Sequence, residues 1–265
     1  MQQYLMTEEQ QSYIQMVRDF YTKEVLPHRS ELDEAEEIPL EAVHKAMEIG
    51  LHTLDIPEEY GGAGLDFRTY VMVSEEMCRI DDAFTGLINA GSIACKVVAL
   101  GGTEEQKKMF YQKVVDGAFV GMCITEPNAG SDVSSISTTA TREGNEYVLN
   151  GSKCFVSNGS IADYFIVFAS TDKSKGSKGI SAFLVEGDRP GITRGKREKK
   201  VGLHSGDTCE IHFENVRIPE GNLLGVENEG FKLTMQTLDR GRVKVASMAV
   251  GIAQGALDYA VAYAK

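Results

Sequence analysis

Phe119-Val120-Gly121-Met122-Cys123-Ile124-Thr125 divides the chain into stretches of different period. It is a short apolar run bounded by turn residues, a pattern that favours a strand over a helix. Downstream, Tyr147-Val148-Leu149, then Asn150-Gly151, then Lys153-Cys154-Phe155-Val156-Ser157 carry the strongest short hairpin signal, Asn-Gly between β-prone runs. Tyr164 to Ala169, Ile180 to Glu186 and Thr208 to Phe213 read as further strands. Strands at this spacing, with no helix between them, predict an antiparallel barrel or sandwich rather than a parallel βαβ sheet. The block ends near Gly225.

Upstream the pattern is helical. Thr7-Glu8-Glu9-Gln10 has capping-box spacing and is followed by Ile14, Val17, Tyr21 and Val25 at helical intervals. Pro39 suits a first helical turn, Leu40, Val43 and Met47 continue the stripe, and Gly50 suits a C-terminal cap. Phe67 to Arg79 and Asp81 to Leu100 are apolar on helical periods, and a second capping box, Thr103-Glu104-Glu105-Gln106, opens another helix. Pro57-Glu58-Glu59-Tyr60-Gly61-Gly62-Ala63-Gly64 reads as a loop.

From about Glu229 the helical period returns through Phe231, Met235, Leu238, Val245, Met248, Ile252, Leu257 and Val261. Glycines 241, 251 and 255 each cost roughly 1 kcal/mol relative to alanine, so close helix–helix contact is the expected reason for keeping them. A helix this apolar must bury a face, and the sequence stops at Lys265 in mid-pattern. The expectation is a fragment, or a chain that a partner completes. The fold class is therefore α+β: an N-terminal all-α domain over 1–117, a central antiparallel β-barrel or sandwich over 118–226, and the start of a C-terminal helical bundle over 227–265.

Composition narrows the function classes. Lys and Arg number 27 against 39 Asp and Glu, for a net charge of -12. Neither phosphate backbones nor an anionic bilayer surface suits such a chain, so nucleic acid and membrane are disfavoured as partners. No apolar run is read as approaching the roughly 18–20 residues of a membrane span, and Met1-Gln2-Gln3-Tyr4 carries no basic and apolar leader pattern. Five scattered cysteines, 78, 95, 123, 154 and 209, form no C-x-x-C pair and do not cluster with the five histidines. No metal site is expected. Buried thiols in a reducing compartment are, and the expected location is the cytoplasm.

Neither a G-x-G-x-x-G nor a Walker motif is present, and His204-Ser205-Gly206-Asp207 places triad residue types side by side, where they cannot form a relay. The informative segment is Met122-Cys123-Ile124-Thr125-Glu126-Pro127-Asn128-Ala129-Gly130-Ser131-Asp132. It is a strand breaking at a proline into a small, polar loop whose N–H and hydroxyl donors can bind phosphate or heteroaromatic oxygens. Taken alone it reads first as an ordinary turn ending a strand. Phe155-Val156-Ser157-Asn158-Gly159 places an aromatic and a hydroxyl at the end of another strand.

Together these residues resemble the acyl-CoA dehydrogenase family. Cys123-Ile124-Thr125-Glu126-Pro127-x-Ala129-Gly130-Ser131-Asp132 is similar to its long signature, and the likeness extends through Pro57–Gly62, Gly102–Lys107, Asn150–Lys153, Ile211–Pro219 and Asn222–Gly225. The resemblance implies a helical, β-barrel, helical layout and FAD as cofactor. It implies that Met122, Cys123, Ile124, Thr125, Gly130 and Ser131 lie along the flavin, with Thr125 bonding the pyrimidine edge. Ser131 would reach the cofactor phosphates or the CoA pantetheine, and Phe155, Val156 and Ser157 would flank the ring, Ser157 donating near N5. Many relatives carry tryptophan and threonine where this chain has Phe155 and Ser157; the replacements keep an aromatic wall and a hydroxyl. Asp239 and Arg242 match positions that contact acyl-CoA, though both also read as solvated charges on a helix.

The implied reaction is α,β-dehydrogenation of an acyl-CoA thioester to the trans-2-enoyl-CoA, a carboxylate taking the Cα proton while hydride passes from Cβ to flavin N5. Some family members carry that base where this chain has Gly241, and most carry it in later helices. No catalytic residue is therefore assigned here, and the glutamate is expected beyond Lys265. The resemblance also implies an electron-transfer flavoprotein as electron acceptor and a homotetramer. Competing expectations are a non-enzymatic flavin- or CoA-binding or scaffold protein, and an enoyl-CoA reductase or acyl-CoA oxidase of the same fold.

Overall fold

A computed structural model describes residues 6–265; the Met1-Gln2-Gln3-Tyr4 stretch read above lies outside the described residues. The chain forms two compact units. One comprises the described residues through Ile88 together with Lys200–Gly206 and Arg240–Lys265, and the other comprises Asn89–Lys199 with Asp207–Asp239.

The first unit is helical. Helix α1 (Glu8–Phe20) begins with the expected capping box: the Thr7 hydroxyl accepts from the Gln10 N–H, and the Gln10 side chain accepts from the Thr7 N–H. Helix α2 (Arg29–Ala35) follows, and α3 (Leu40–Glu48) starts immediately after Pro39 and is left through Gly50 at φ 79°. Asp66 caps α4 (Phe67–Ile80) by accepting from the N–H groups of Arg68 and Thr69. Val17, Tyr21, Val73, Met77 and Phe84 are buried, the Tyr21 and Phe84 rings meeting edge to face at 5.3 Å. Phe84 belongs to α5 (Asp82–Gly101), whose later residues enter the second unit. Helix α6 (Glu104–Val115), which belongs to the second unit, opens on the second predicted capping box, with Thr103 and Gln106 exchanging bonds.

The second unit is built on eight strands. They are β1 (Val120–Cys123), β2 (Thr139–Glu143), β3 (Glu146–Ser157), β4 (Tyr164–Ser170), β5 (Ile180–Glu186), β6 (Ile192–Arg197), β7 (Thr208–Pro219) and β8 (Leu223–Leu224), ordered β6-β7-β3-β2-β4-β5-β8 with β1 against β4. β5 lies three strands from β3, about 14 Å on a flat sheet at the usual spacing. Yet the Tyr147 and Phe183 rings, from β3 and β5, are 4.9 Å apart. The sheet therefore curls round one apolar core, to which Leu149, Phe165, Val167, Val185, Ile211 and Val216 also contribute.

Three expectations are corrected. The sheet is not wholly antiparallel, because β1 and β2 both run parallel to β4. No hairpin turns at Asn150-Gly151. The turn is Gly144-Asn145, with Glu143 paired to Glu146, and β3 runs straight through residues 150 and 151. Register explains why: two steps on β3, Leu149 to Gly151, face three on β7, Val216 to Phe213, so β7 bulges there. Asn150 spans the bulge, its side chain accepting from the Asn215 N–H at 2.8 Å. Glycine is required at 151 because a Cβ would lie 2.4 Å from the Thr138 hydroxyl. Asn-Gly here serves close approach and a bulge, both of which have the same sequence signature as a turn.

The third correction concerns long apolar stretches. Charged residues interrupt them in sequence, but two helices are long and apolar enough to cross a membrane by length and composition: α5, and α7 (Gly230–Ala264). In α5 61% of the apolar window is buried inside the protein, against 11% in α7. Within the helical unit α7 meets α4 through a narrow stripe. Cβ atoms at 251 and 255 would stand 2.2 Å from the Glu75 carbonyl and 2.1 Å from the Arg79 carbonyl, so both glycines permit a helix crossing that alanine forbids. Lys244 stacks over the Tyr70 ring in the same stripe, and Asp258 pairs with Arg79 at 2.6 Å.

Candidate functional site

Strand β1 ends at Cys123, and the chain turns at Pro127 into an exposed loop. Thr125 and Glu126 hold the base of this loop. The Thr125 carbonyl accepts from the Cys154 N–H at 2.8 Å, and Glu126 and Ala129 exchange backbone bonds at 3.1 and 3.0 Å. Asp132 closes the far end, accepting from the Ser134 N–H and from the hydroxyls of Ser134 and Ser135. Between these anchors the N–H groups of Gly130 and Ser131 make no bond among the described residues, and both residues are exposed. They are donors without acceptors.

The Thr125–Cys154 bond ties this loop to a second bulge. Lys153 pairs with Ile211 and Val156 with Cys209, so three steps on β3 face two on β7. One residue is extra, and a bulge re-aims the side chains around it. Regular alternation would put Lys153 and Phe155 on one face; instead Lys153 is buried and Phe155 is 65% exposed. Phe155 sits at φ 56°, a conformation that costs a bulky residue of the order of 1–3 kcal/mol. A phenylalanine held in solvent on strained backbone is where a planar ligand would find a wall. Ser157, also exposed, follows two residues on, and the next turn is fixed by Asp207, which accepts from the Ser160 N–H and hydroxyl at 2.8 Å each.

The structure thus brings together Thr125, Phe155 and Ser157, with Gly130 and Ser131 on the same loop. Met122 and Ile124 are half-buried beside them. Cys123 and Val156 send their side chains into the core, so only their backbone can face a ligand. Asp239 and Arg242 are exposed on α7 and form no ion pair among the described residues.

Sequence reasoning missed the groups behind the loop. Glu126 and Lys153 are buried and 2.8 Å apart. Burial opposes the Glu126 carboxylate, but Lys153, Ser137 and Thr138 more than offset it and hold its pKa at about 2. Burial lowers the Lys153 pKa while Glu126 opposes the fall. The missed signal was a single lysine inside an apolar strand run, which needs a buried partner.

Comparisons with known proteins identify the family. The acyl-CoA dehydrogenase N-terminal, middle and C-terminal domain models match residues 7–118, 121–216 and 228–265. The chain belongs to the acyl-CoA dehydrogenase family. It is 42% identical over 262 residues to a short-chain-specific acyl-CoA dehydrogenase of Clostridium acetobutylicum, covering 98% of this chain and 69% of that one. Among solved structures it resembles butyryl-CoA dehydrogenase from Megasphaera elsdenii (TM-score 0.94, 40% identity, covering 97% of this chain and 69% of that one). A chain from a study of the electron transferring flavoprotein of Acidaminococcus fermentans gives TM-score 0.94 and 43% identity, covering 97% and 68%. FAD is the cofactor that membership implies. The residues present fit it: an outward aromatic, the half-buried Thr125 and exposed Ser157 hydroxyls and a loop with unengaged N–H donors lie on two segments joined by the Thr125–Cys154 bond.

Proposed function

We propose that this protein takes part in FAD-dependent α,β-dehydrogenation of short-chain acyl-CoA thioesters. The observation that carries the reading is the β3 bulge, which holds Phe155 and Ser157 beside the Thr125 loop in a chain of this family.

Phe155 would wall the flavin ring, the hydroxyls of Thr125 and Ser157 would bond its polar edge, and Gly130 and Ser131 would donate to phosphate oxygens. Bound FAD supplies the acceptor for the two electrons that leave the substrate. Apolar half-buried Met122 and Ile124 would help to keep water from the bound ring, which would strengthen the polar contacts there. Asp239 and Arg242, both solvated, would meet the polar CoA portion, Arg242 suiting its phosphates. No residue of this chain is assigned as the base that removes the Cα proton; the reading assigns it to the part of the family's architecture that the match does not span.

Electrons would pass to an electron-transfer flavoprotein, and the exposed apolar side of α7 suits packing in a homotetramer. Five buried cysteines, none in a disulfide, support a reducing, cytoplasmic location. The deciding experiment is anaerobic titration of the protein, as isolated from its source, with butyryl-CoA. The expected result is a visible flavin band that butyryl-CoA bleaches. Flavin that no acyl-CoA bleaches would favour the non-enzymatic binding protein, and fast reoxidation by oxygen would favour the oxidase. Absence of flavin binding overturns all three.

A further inference from the structure

Behind the loop and the bulge lies an ion pair that the proposed chemistry does not use. Lys153 Nζ and Glu126 Oε1 are 2.8 Å apart, and the two side chains are 0% and 2% exposed. Removing two charges from water costs several kcal/mol per ion, and such pairs can often be replaced by apolar residues without loss of stability. Stability alone is therefore a poor reason for this pair.

Its connectivity gives a better one. Glu126 accepts from Lys153, from the Ser137 N–H and hydroxyl at 2.6 Å each, and from the Thr138 N–H at 3.0 Å. Lys153 also donates to the Ile124 carbonyl at 3.1 Å. One pair thus joins the exit of β1, the approach to β2 and the middle of β3. Two of these segments lead directly to residues assigned to the cofactor: Ile124 precedes Thr125, Glu126 opens the turn bearing Gly130 and Ser131, and Lys153 lies two residues before Phe155. A left-handed phenylalanine persists only where its surroundings over-determine it. On one side of residue 155 this pair does so, and on the other the Asp207–Ser160 bonds do.

We propose that Lys153 and Glu126 are positioning residues of the FAD site, a buried clamp that sets the distance between the Thr125 hydroxyl and the Phe155–Ser157 edge before the cofactor arrives. Preformed donors and a preformed wall spare the cofactor the cost of ordering them. The inference rests on the FAD reading of this site, and neither residue touches the cofactor.

The test compares wild type with the double variant Glu126→Gln/Lys153→Met, which removes both charges while keeping side-chain volume. FAD titration, the Tm of the FAD-free protein and the fine structure of the visible flavin band are measured. The expected result is a Kd for FAD raised roughly tenfold, equivalent to about 1.4 kcal/mol, with the FAD-free Tm nearly unchanged and the flavin band blurred. A Kd within about twofold of wild type, with an unchanged band, overturns the proposal. Glu126→Asp, which keeps both charges but withdraws the carboxylate by one methylene, gives the same loosening if the clamp sets distance. An unaltered Kd in that variant also overturns it, and decides the matter should the double variant fail to fold. Wild-type protein that binds no FAD would instead overturn the functional reading, and the clamp with it.

Discussion

The β3 bulge and α7 both hold apolar side chains in solvent, and they do so in opposite ways. At the β3 bulge Phe155 stands alone, on backbone in the left-handed region, with buried charges and bonded loops behind it. On α7 a whole series is exposed, including Val245, Val250, Leu257, Tyr259 and Tyr263, on regular helix. In the helical unit the covered stripe of α7 consists of small and polar residues, Lys244, Ser247 and Gly251 buried and Gly255 and Asp258 half-buried. The contrast separates two meanings of an exposed apolar residue. Strain backed by buried polar support marks a place built to meet a ligand, whereas an unstrained row marks a surface built to pack.

The largest test of that contrast sets a charge pair from each region side by side. Lys153→Met strands a buried carboxylate and is expected to lower stability by about 3–5 kcal/mol in urea denaturation. Asp258→Ala breaks the Arg79 pair, whose side chains are 34% and 40% exposed, and is expected to cost about 0–1 kcal/mol. Equal losses would mean that the clamp is no more than an ordinary ion pair.

Close backbone approach gives the next effect. Gly151→Ala drives a Cβ into Thr138 and Gly251→Ala drives one into the Glu75 carbonyl, so each is expected to cost about 1–3 kcal/mol, read as a lowered urea midpoint. Gly130→Ala, whose Cβ meets open space, is the control, expected within about 0.5 kcal/mol of wild type.

Acid should distinguish the two regions as well. Glu126 has a folded pKa of about 2, below the roughly 4.3 of an unfolded glutamate. Its contribution is therefore complete above the unfolded value and lost as pH falls through that range. Urea midpoints of Glu126→Gln are expected to fall less steeply than those of wild type as pH drops from about 5 to about 3. Parallel slopes would show that the carboxylate is not held ionised.

A small stability effect is expected at the bulge itself. Phe155→Gly relieves the positive φ and should leave the FAD-free protein as stable as wild type or up to about 1 kcal/mol more so, while weakening FAD. Leu257→Ala on α7 should change neither stability beyond about 0.5 kcal/mol nor FAD affinity. Loss of FAD affinity in Leu257→Ala alone would invert the comparison.

Much of this was legible in the residues. Both capping boxes act as their spacing foretold, because such caps depend on four consecutive residues and little else. Glycines 251 and 255 serve close helix contact as expected. Strands β2, β6 and β8 escaped notice, since two are polar and largely exposed and the third has two residues. Asn150-Gly151 misled because its turn chemistry is local, whereas its use, opposite a bulge in β7, is set by register with a strand some sixty residues later. The same holds for the site. Thr125, Ser131, Phe155 and Ser157 could be named from the motif, but the outward turn of Phe155 and the Lys153–Glu126 pair arise only once β1, β3 and β7 are paired.

A crystal structure of the protein grown with FAD addresses the cofactor assignment most directly. Density for the isoalloxazine against Phe155, with its polar edge at the Thr125 and Ser157 hydroxyls, is the expected result. Density for the ring elsewhere on the molecule, with that edge of the β unit left bare, would contradict it.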